Sequence, residues 1–244
     1  TNLTTTLKHH GGKLGVTGSC HELNINNNSD HYGILIDCGL FQGKDAKDKH
    51  GNDKKLDIEF PISHLKALIL THTHIDHSPA TRGLLQHCDA EVIGVLAPDQ
   101  MFQDETFKPD IECFDGQCFE TSEYRLQAIH TPGHVSNHYC FLETNAGLLF
   151  TGDHIMAGTT VVIVPPSGDM ADYIASLQKL LDYPIKQLGP AHGDVMDNPA
   201  AVIEWLVEHR LGRERKVVQG LGRHGPGNLD QLVVVIYDDV DPSI

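Results

Sequence analysis

The sequence predicts an α/β fold, because short apolar runs alternate with segments that carry helical periodicity. Three apolar runs, at residues 33–38, 67–71 and 90–96, are typical of buried strands in length and composition. Residues 78–87 favour a helix, and residues 170–182 place apolar side chains at helical spacing after Asp169, a suitable N-cap. The first two apolar runs also lead directly into acidic or histidine residues, as strands do when they deliver side chains to a site.

The remainder of the chain continues the same pattern. Residues 139–143 and 147–151 resemble a hairpin with its turn near residues 144–146. Asn198-Pro199 predicts the start of a helix that runs to about His209, since proline is well tolerated in the first turn. Further strands are predicted at residues 124–130 and 185–188, and a solvated loop rich in lysine and aspartate at residues 44–57.

Chain length and the tail suggest one main domain with a small addition. The 244 residues are enough for one large domain. We predict a catalytic domain over residues 1–209 and a helical extension over residues 210–244. Residues 232–237 favour a strand by propensity, whereas their position after a helix near the end of the chain fits a helix equally well.

Composition excludes some classes of protein. The net charge of −15, from 18 basic and 33 acidic residues, argues against a broad nucleic-acid-binding surface. No apolar run is long enough to cross a bilayer, so we expect no membrane partner. The six cysteines include no C-x-x-C pair and predict buried thiols in a reducing cytosol, hence a cytoplasmic protein. A removed signal peptide and the oligomeric state stay open.

The strongest functional signal is a cluster of four ligand-type residues within six positions. His72, His74, Asp76 and His77 follow the apolar run at residues 67–71. On extended backbone His72 and His74 point the same way, whereas Asp76 and His77 fall where a turn can direct them to a second point. Because histidine and aspartate bind transition metals, this spacing predicts a metal site, and it suits two metal ions better than one.

Other histidines carry weaker signals. His9, His10, His21 and His31 lie in a polar N-terminal stretch and are expected at the surface, although His21 could line a cleft. His130 and His138 flank His134 and are expected to pack around the site. His154 is expected to be structural or to line the pocket.

Five motifs together resemble the metallo-β-lactamase superfamily over about residues 15–205. In order, they are Asp37, Thr71-His-Thr-His-Ile-Asp-His77, His130-Thr-Pro-Gly-His134, Thr151-Gly-Asp153 and Pro190-Ala-His-Gly193. The resemblance implies a four-layer αββα sandwich with a dinuclear zinc site at one edge of its two sheets. Iron and manganese are the alternative metals.

The resemblance also implies a role for each site residue. His72, His74 and His134 would hold the first metal, and Asp76, His77 and His192 the second. Asp153 would bridge both metals, and Asp37 would orient the cluster. The implied chemistry uses a hydroxide shared between the metals as the nucleophile. Asp76 and Asp153 are therefore the predicted catalytic residues, with Asp76 able to steer the nucleophile or accept its proton.

Features that distinguish branches of the superfamily point in two directions. Thr17–His21 and Ile36–Gly43 resemble the start of the β-CASP nucleases, yet only 38 residues separate Asp153 from His192, too few for the β-CASP cassette. From about Asp76 the chain is more similar to the β-lactamase-like protein 2 branch, which includes single-stranded RNA nucleases. The stretches that carry this similarity are 104–109, 130–138, 152–156, 168–173 and the tail from Leu211.

Three functions remain to be distinguished. The first is hydrolysis of a small acyl compound, such as a thioester, ester, lactone or lactam, which the net charge and the missing cassette favour. The second is endonucleolytic cleavage of single-stranded RNA, which the branch similarity favours and the net charge opposes. The third is a metal-binding or redox protein that is not an enzyme.

Overall fold

Two six-stranded sheets form the centre of the protein, seen here in a computed structural model. The structure describes residues 4–14, 18–26, 31–40, 47, 60–98, 102–225 and 228–237. The first sheet contains β1 (Thr4–Gly11), β2 (Cys20–Asn26), β3 (His31–Ile36), β4 (Leu65–Ile69), β5 (Glu91–Gly94) and β6 (Ile111–Glu112), in that order. The predicted loop at residues 44–57 lies outside the described residues, except for Lys47.

The second sheet follows later in the chain. Its strands are β7 (Cys118–Glu120), β8 (Arg125–His130), β9 (Tyr139–Glu143), β10 (Leu148–Gly152), β11 (Gln187–Pro190) and β12 (Met196–Asp197). They pair in the spatial order β12-β11-β10-β9-β8-β7. β3, β4, β5 and β6 pair in parallel in the first sheet, as do β10 and β11 in the second, so both sheets are mixed.

The sheets pack face to face through one hydrophobic core. Ile34, Ile36 and Ile69 from the first sheet share a cluster with Phe141 and Phe150 from the second. The other face of the first sheet is covered in part by α1 (Thr81–Leu84), whose Leu84 packs with Leu35 and Leu68. α2 (Met170–Leu180) buries one apolar face, including Tyr173. These layers confirm the αββα sandwich.

Most predicted strands agree with the structure to within two residues, but two differences have local causes. The helix predicted over residues 78–87 is reduced to α1, because its N-cap Ala80 makes no side-chain cap and Gly83 weakens its interior. The N-terminal stretch, expected to be polar surface, instead forms β1 and β2. Threonines at positions 4–6 favour strand, and the antiparallel pairing of β1 with β2 orders both.

The C-terminal part of the chain is helical. The chain divides into two compact units, Thr1–Pro199 and Ala200–Ile244. α3 (Pro199–His224) continues well beyond His209, where we expected it to end, because residues 210–218 are mostly helix formers. The predicted domain boundary at residues 209 and 210 falls within α3 and stays a prediction.

The open choice for the tail is resolved as a helix, α4 (Leu229–Ile236). Its N-cap Asn228 accepts a hydrogen bond from the Gln231 backbone, and the Gln231 side chain caps the Asn228 backbone in return. Within the described residues, no helix combines the length and apolarity needed to cross a membrane.

The N-cap of α2 gives a testable prediction about the stability of the fold. The Asp169 carboxylate accepts hydrogen bonds from the backbone N–H groups of Ala171 and Asp172, at 2.8 and 2.9 Å. Asp169→Ala should lower the free energy of unfolding by about 1 kcal/mol, because two N–H groups lose their acceptor. Urea unfolding measures the change. Asp182→Ala, just beyond the same helix, is the control, and an equal loss in both variants would contradict the capping role.

Candidate metal centre

The seven residues predicted from the sequence all follow strand ends, and both sheets contribute. His72, His74, Asp76 and His77 lie in the loop after β4 of the first sheet. His134, Asp153 and His192 follow β8, β10 and β11 of the second sheet. The structure brings these residues together in two groups, within each of which one ligand-type atom per residue lies within 4.8 Å of the others.

The first group consists of three imidazoles. Nδ1 of His74 lies 3.0 Å from Nε2 of His72 and 3.1 Å from Nε2 of His134. A tetrahedral zinc ion with Zn–N bonds of about 2.0–2.1 Å places its ligand atoms about 3.3 Å apart. The three nitrogens therefore have nearly the spacing that such an ion requires.

The second group combines two carboxylates with two imidazoles. Nε2 of His77 lies 3.4 Å from Oδ2 of Asp153 and 3.7 Å from Oδ2 of Asp76. Nε2 of His192 lies 3.3 Å from Oδ1 of Asp153 and 3.5 Å from Oδ2 of Asp76. Most of these separations exceed ordinary hydrogen bonds and match the distances between ligand atoms around one ion.

Asp153 joins the two groups, since its Oδ2 also lies 3.9 Å from Nε2 of His134. Its Oδ1 atom and Nε2 of His77 are buried and have no hydrogen-bond partner within the described part of the chain. Buried polar atoms are rarely left unsatisfied, so these two atoms point to a ligand between them. The donor set and its orphaned atoms fit a pair of divalent metal ions.

The imidazoles are oriented by hydrogen bonds through their second nitrogens. Nδ1 of His77 donates to Oδ2 of Asp37 at 2.8 Å, and Nδ1 of His134 donates to the Val162 carbonyl at 2.7 Å. Nδ1 of His72 lies 3.1 Å from Oγ1 of Thr71, which itself donates to Asp37. In all three residues a hydrogen bond at Nδ1 orients the ring, and Nε2 faces the other ligand-type atoms, an arrangement typical of metal-binding histidine.

Burial and neighbouring charges shift the pKa values of several residues in the cluster. Burial, followed by the neighbouring His134 imidazole, lowers the pKa of His74 to about 4. The pKa of His72 is also lowered, by burial and by His77. Burial would raise the pKa of Asp153, but the imidazoles around it, His77 first, lower it below the usual carboxyl range. Near pH 7, His72 and His74 are therefore neutral and Asp153 is ionised, which are the forms that bind metals.

Two glycines permit the close approach of the segments that carry the site. A Cβ atom on Gly39 would lie 1.6 Å from the backbone oxygen of Asp76. Gly152, with a φ of +51°, precedes Asp153, and a Cβ atom there would lie 2.7 Å from Cβ of Thr71. The strand ends can therefore meet only where these residues lack side chains.

Sequence reasoning missed the part that the N-terminal strands play. His21 is buried rather than exposed, and its Nε2 donates to the carbonyl of Ala191 at 2.9 Å, directly before His192. A Cβ atom on Gly12 would lie 2.3 Å from the same carbonyl oxygen. The strand pair β1–β2 thus contacts the loop that carries His192. The sequence feature that pointed to this contact was His21, which we expected either at the surface or lining a cleft.

The remaining histidines near the site pack around it. The ring of His138 lies 5.2 Å from that of His72, and its Nδ1 lies 2.9 Å from Oγ1 of Thr131. His154 is fully buried, with its ring 4.8 Å from that of Tyr173. Nε2 of His130 donates to the Ser136 carbonyl at 2.9 Å.

Comparisons with known proteins agree with the fold. The family model for the metallo-beta-lactamase superfamily matches residues 26–192. A metallo-beta-lactamase family protein from Thermus thermophilus superimposes with a TM-score of 0.65 at 18% identity, over 96% of this chain and 87% of that one. The chain belongs to the metallo-beta-lactamase superfamily.

Relatives in the superfamily carry several names. A beta-lactamase-like protein 2 homolog of Drosophila melanogaster is 30% identical over 189 residues, which are 74% of this chain and 63% of the relative. The thioesterase pkgB of Emericella nidulans is 32% identical over 168 residues, 69% of this chain and 45% of the relative. The chain thus spans about half to two thirds of the length of these relatives.

The hydrogen bond from His77 to Asp37 can be tested through metal binding. Asp37→Asn should weaken metal affinity about 10- to 100-fold, because an amide offers one acceptor oxygen where the carboxylate offers two. Asparagine tolerates the positive φ of 60° at this position, so the backbone is kept. Competition with a chromophoric chelator measures the affinity. The exposed Asp89→Asn is the control, and unchanged affinity in Asp37→Asn would refute the orienting role.

Proposed function

We propose that the protein is a dinuclear, zinc-dependent hydrolase that acts on a small acyl substrate with an apolar acyl part. The observation that supports this most directly is the pair of ligand groups that share Asp153 and border an apolar cavity. Iron and manganese also accept imidazole and carboxylate ligands and are the alternative metals.

We assign separate roles to the side chains of the metal centre. His72, His74 and His134 would hold one ion, Asp76, His77 and His192 the other, and Asp153 both. When bound, the ions supply Lewis acidity to a scissile carbonyl and lower the pKa of coordinated water to about 7. Asp76 belongs to the second group and also lines the cavity, so its carboxylate is placed to orient the nucleophile or accept its proton.

The cavity beside the ligand groups supports an apolar substrate. It has a volume of about 380 Å³, which suits a small molecule. Its walls are formed by His74, Ile75, Asp76, Phe102, His134, Val135, Val162, Val164 and Ser167. The described residues that line it include no lysine or arginine, whereas a site that tracks an RNA backbone needs cationic side chains.

A second cavity is larger but is not lined by the metal centre. It measures about 490 Å³ and lies beside α1, lined by residues that include Arg82, Asp104 and Lys108. None of the seven residues of the metal centre lines it. We therefore assign substrate binding to the smaller cavity, which His74, Asp76 and His134 border.

Relatives and charge together favour the acyl substrate over RNA. One relative is named a thioesterase, and a thioester presents the apolar acyl group and the polarisable carbonyl that this site suits. The similarity to beta-lactamase-like protein 2 favours RNA cleavage as the alternative. The net charge of −15 opposes it, because a polyanion would be repelled at long range.

A substrate panel distinguishes the two reactions. We expect turnover of apolar acyl thioesters, tested beside lactones, a chromogenic β-lactam and fluorogenic single-stranded RNA. Chelation should abolish turnover and Zn²⁺ should restore it, because the ions would polarise the scissile carbonyl and lower the pKa of the attacking water.

The control for this panel is Asp153→Asn, which keeps the shape of the side chain. It should remove most of the activity, since an amide bridges two cations poorly. Chelator-sensitive cleavage of RNA without thioester turnover would favour the nuclease, and fewer than about one transition-metal ion bound per purified chain would exclude the two-metal site.

The apolar rim of the cavity gives a separate prediction. Phe102 is 65% exposed and lines the cavity. Phe102→Ser should lower kcat/KM for long acyl thioesters about 10-fold, since lost apolar contact is worth about 1–2 kcal/mol, and should have less effect on acetyl thioesters.

Phe114→Ser is the matched control, because Phe114 is equally exposed, at 64%, and does not line the cavity. Steady-state kinetics over a series of acyl lengths measures the effect. If Phe102→Ser reduced all chain lengths equally, contact between Phe102 and the acyl chain would be refuted.

A further inference from the structure

A second cluster of ligand-type side chains lies on the first sheet, apart from the metal centre. It contains Glu22 in β2, His31 at the start of β3, and His64 directly before β4. Each offers one ligand-type atom, and these atoms lie within 4.8 Å of one another. None of the three belongs to the metal centre, so the cluster is a separate grouping.

The cluster lies on the opposite face of β2 from the residue that contacts the metal centre. Successive side chains in a strand point to opposite faces of the sheet. His21 points toward Ala191, so Glu22 points to the other face. Leu23, the next residue, belongs to the core between the two sheets, which places Glu22 on the outer face.

Both carboxylate oxygens of Glu22 meet imidazole nitrogens. Oε1 lies 2.5 Å from Nε2 of His64, and Oε2 lies 2.6 Å from Nε2 of His10. The rings of His31 and His64 are stacked with centroids 4.3 Å apart. The Nε2 atom of His31 donates to Oδ1 of Asn24 at 2.6 Å, which orients that ring. The contacts with His10 and Asn24 come from outside the three-residue cluster, as the hydrogen bonds that orient metal ligands commonly do.

Glu22 is a buried carboxylate that carries a charge. Its exposed fraction is 1%, and burial alone would raise its pKa. The hydrogen bonds from His64 and His10 outweigh burial and lower the pKa below the usual carboxyl value. A buried carboxylate beside imidazoles is a combination of ligand types that transition-metal ions accept.

We propose that Glu22, His31 and His64 bind a third divalent transition-metal ion, with His10 as the hydrogen-bond partner that orients Glu22. Two imidazoles and one carboxylate are a ligand set that zinc accepts, with water completing the tetrahedron. His31 is exposed, so the ion has a path from solvent. By joining β2, β3 and the segment before β4, the ion would brace the strands that lead to Asp37 and His72.

Metal counting tests the proposal directly. Chelator-treated protein is equilibrated with Zn²⁺ buffered at micromolar free concentration, and bound zinc is measured by mass spectrometry. Wild type should retain about one equivalent more than His31→Gln or Glu22→Gln, because each variant loses one ligand of the site. His10→Gln should weaken the extra equivalent without removing it.

The controls separate this ion from the metal centre and from misfolding. His87→Gln, at an exposed histidine outside both clusters, should retain the wild-type zinc content. The double variant Asp153→Asn, His31→Gln should bind one equivalent of zinc less than Asp153→Asn alone. His31 is exposed, so its replacement leaves the fold intact, as circular dichroism would verify. Equal zinc content in wild type and His31→Gln would overturn the proposal, whatever Glu22→Gln shows.

Discussion

The buried carboxylate of Asp37 is the interaction on which the site depends. It is fully buried and accepts hydrogen bonds from Ser19, from the backbone and hydroxyl of Thr71, and from His77. A carboxyl group in such a position is tolerated only when hydrogen-bond donors surround it, so the donors cannot move independently. Asp37 thereby ties the end of β3 to the segment before β2 and to the loop after β4. One residue sets the position of the loop that carries four of the seven site residues.

A second constraint is the crowding of five imidazoles and two carboxylates at one edge of the sheets. Burial lowers the pKa values of His72 and His74, so the folded chain holds these groups in the forms that a cation needs. The close approach depends on Gly39 and Gly152, where any side chain would collide with the neighbouring backbone or side chain. Crowding of buried polar groups at functional sites commonly costs stability, and bound cations would offset that cost here.

Local patterns predicted the second sheet better than the first. The hairpin strand at residues 139–143 was predicted to the residue, because both strands are short, apolar and joined by a tight turn. β1 and β2 were not predicted, because their alternation of histidine, asparagine and threonine with leucine resembles surface. Glu22, Asn24 and His21 are buried only because partners arrive from distant parts of the chain. The burial of these polar side chains depends on tertiary contacts, and the spacing of apolar residues along the sequence does not reveal such contacts.

The sequence by itself determined the fold class, the family and the seven residues that converge, since strand ends and their polar residues are encoded locally and in order. Only the tertiary structure decided what surrounds them. The apolar cavity combines Ile75, Phe102 and Val162 from separate segments, and the link from His21 to Ala191 joins residues 170 positions apart. The cluster of Glu22, His31 and His64 likewise spans three elements. Such groupings arise from the way strands pair and sheets pack, which brings together residues that no local spacing relates.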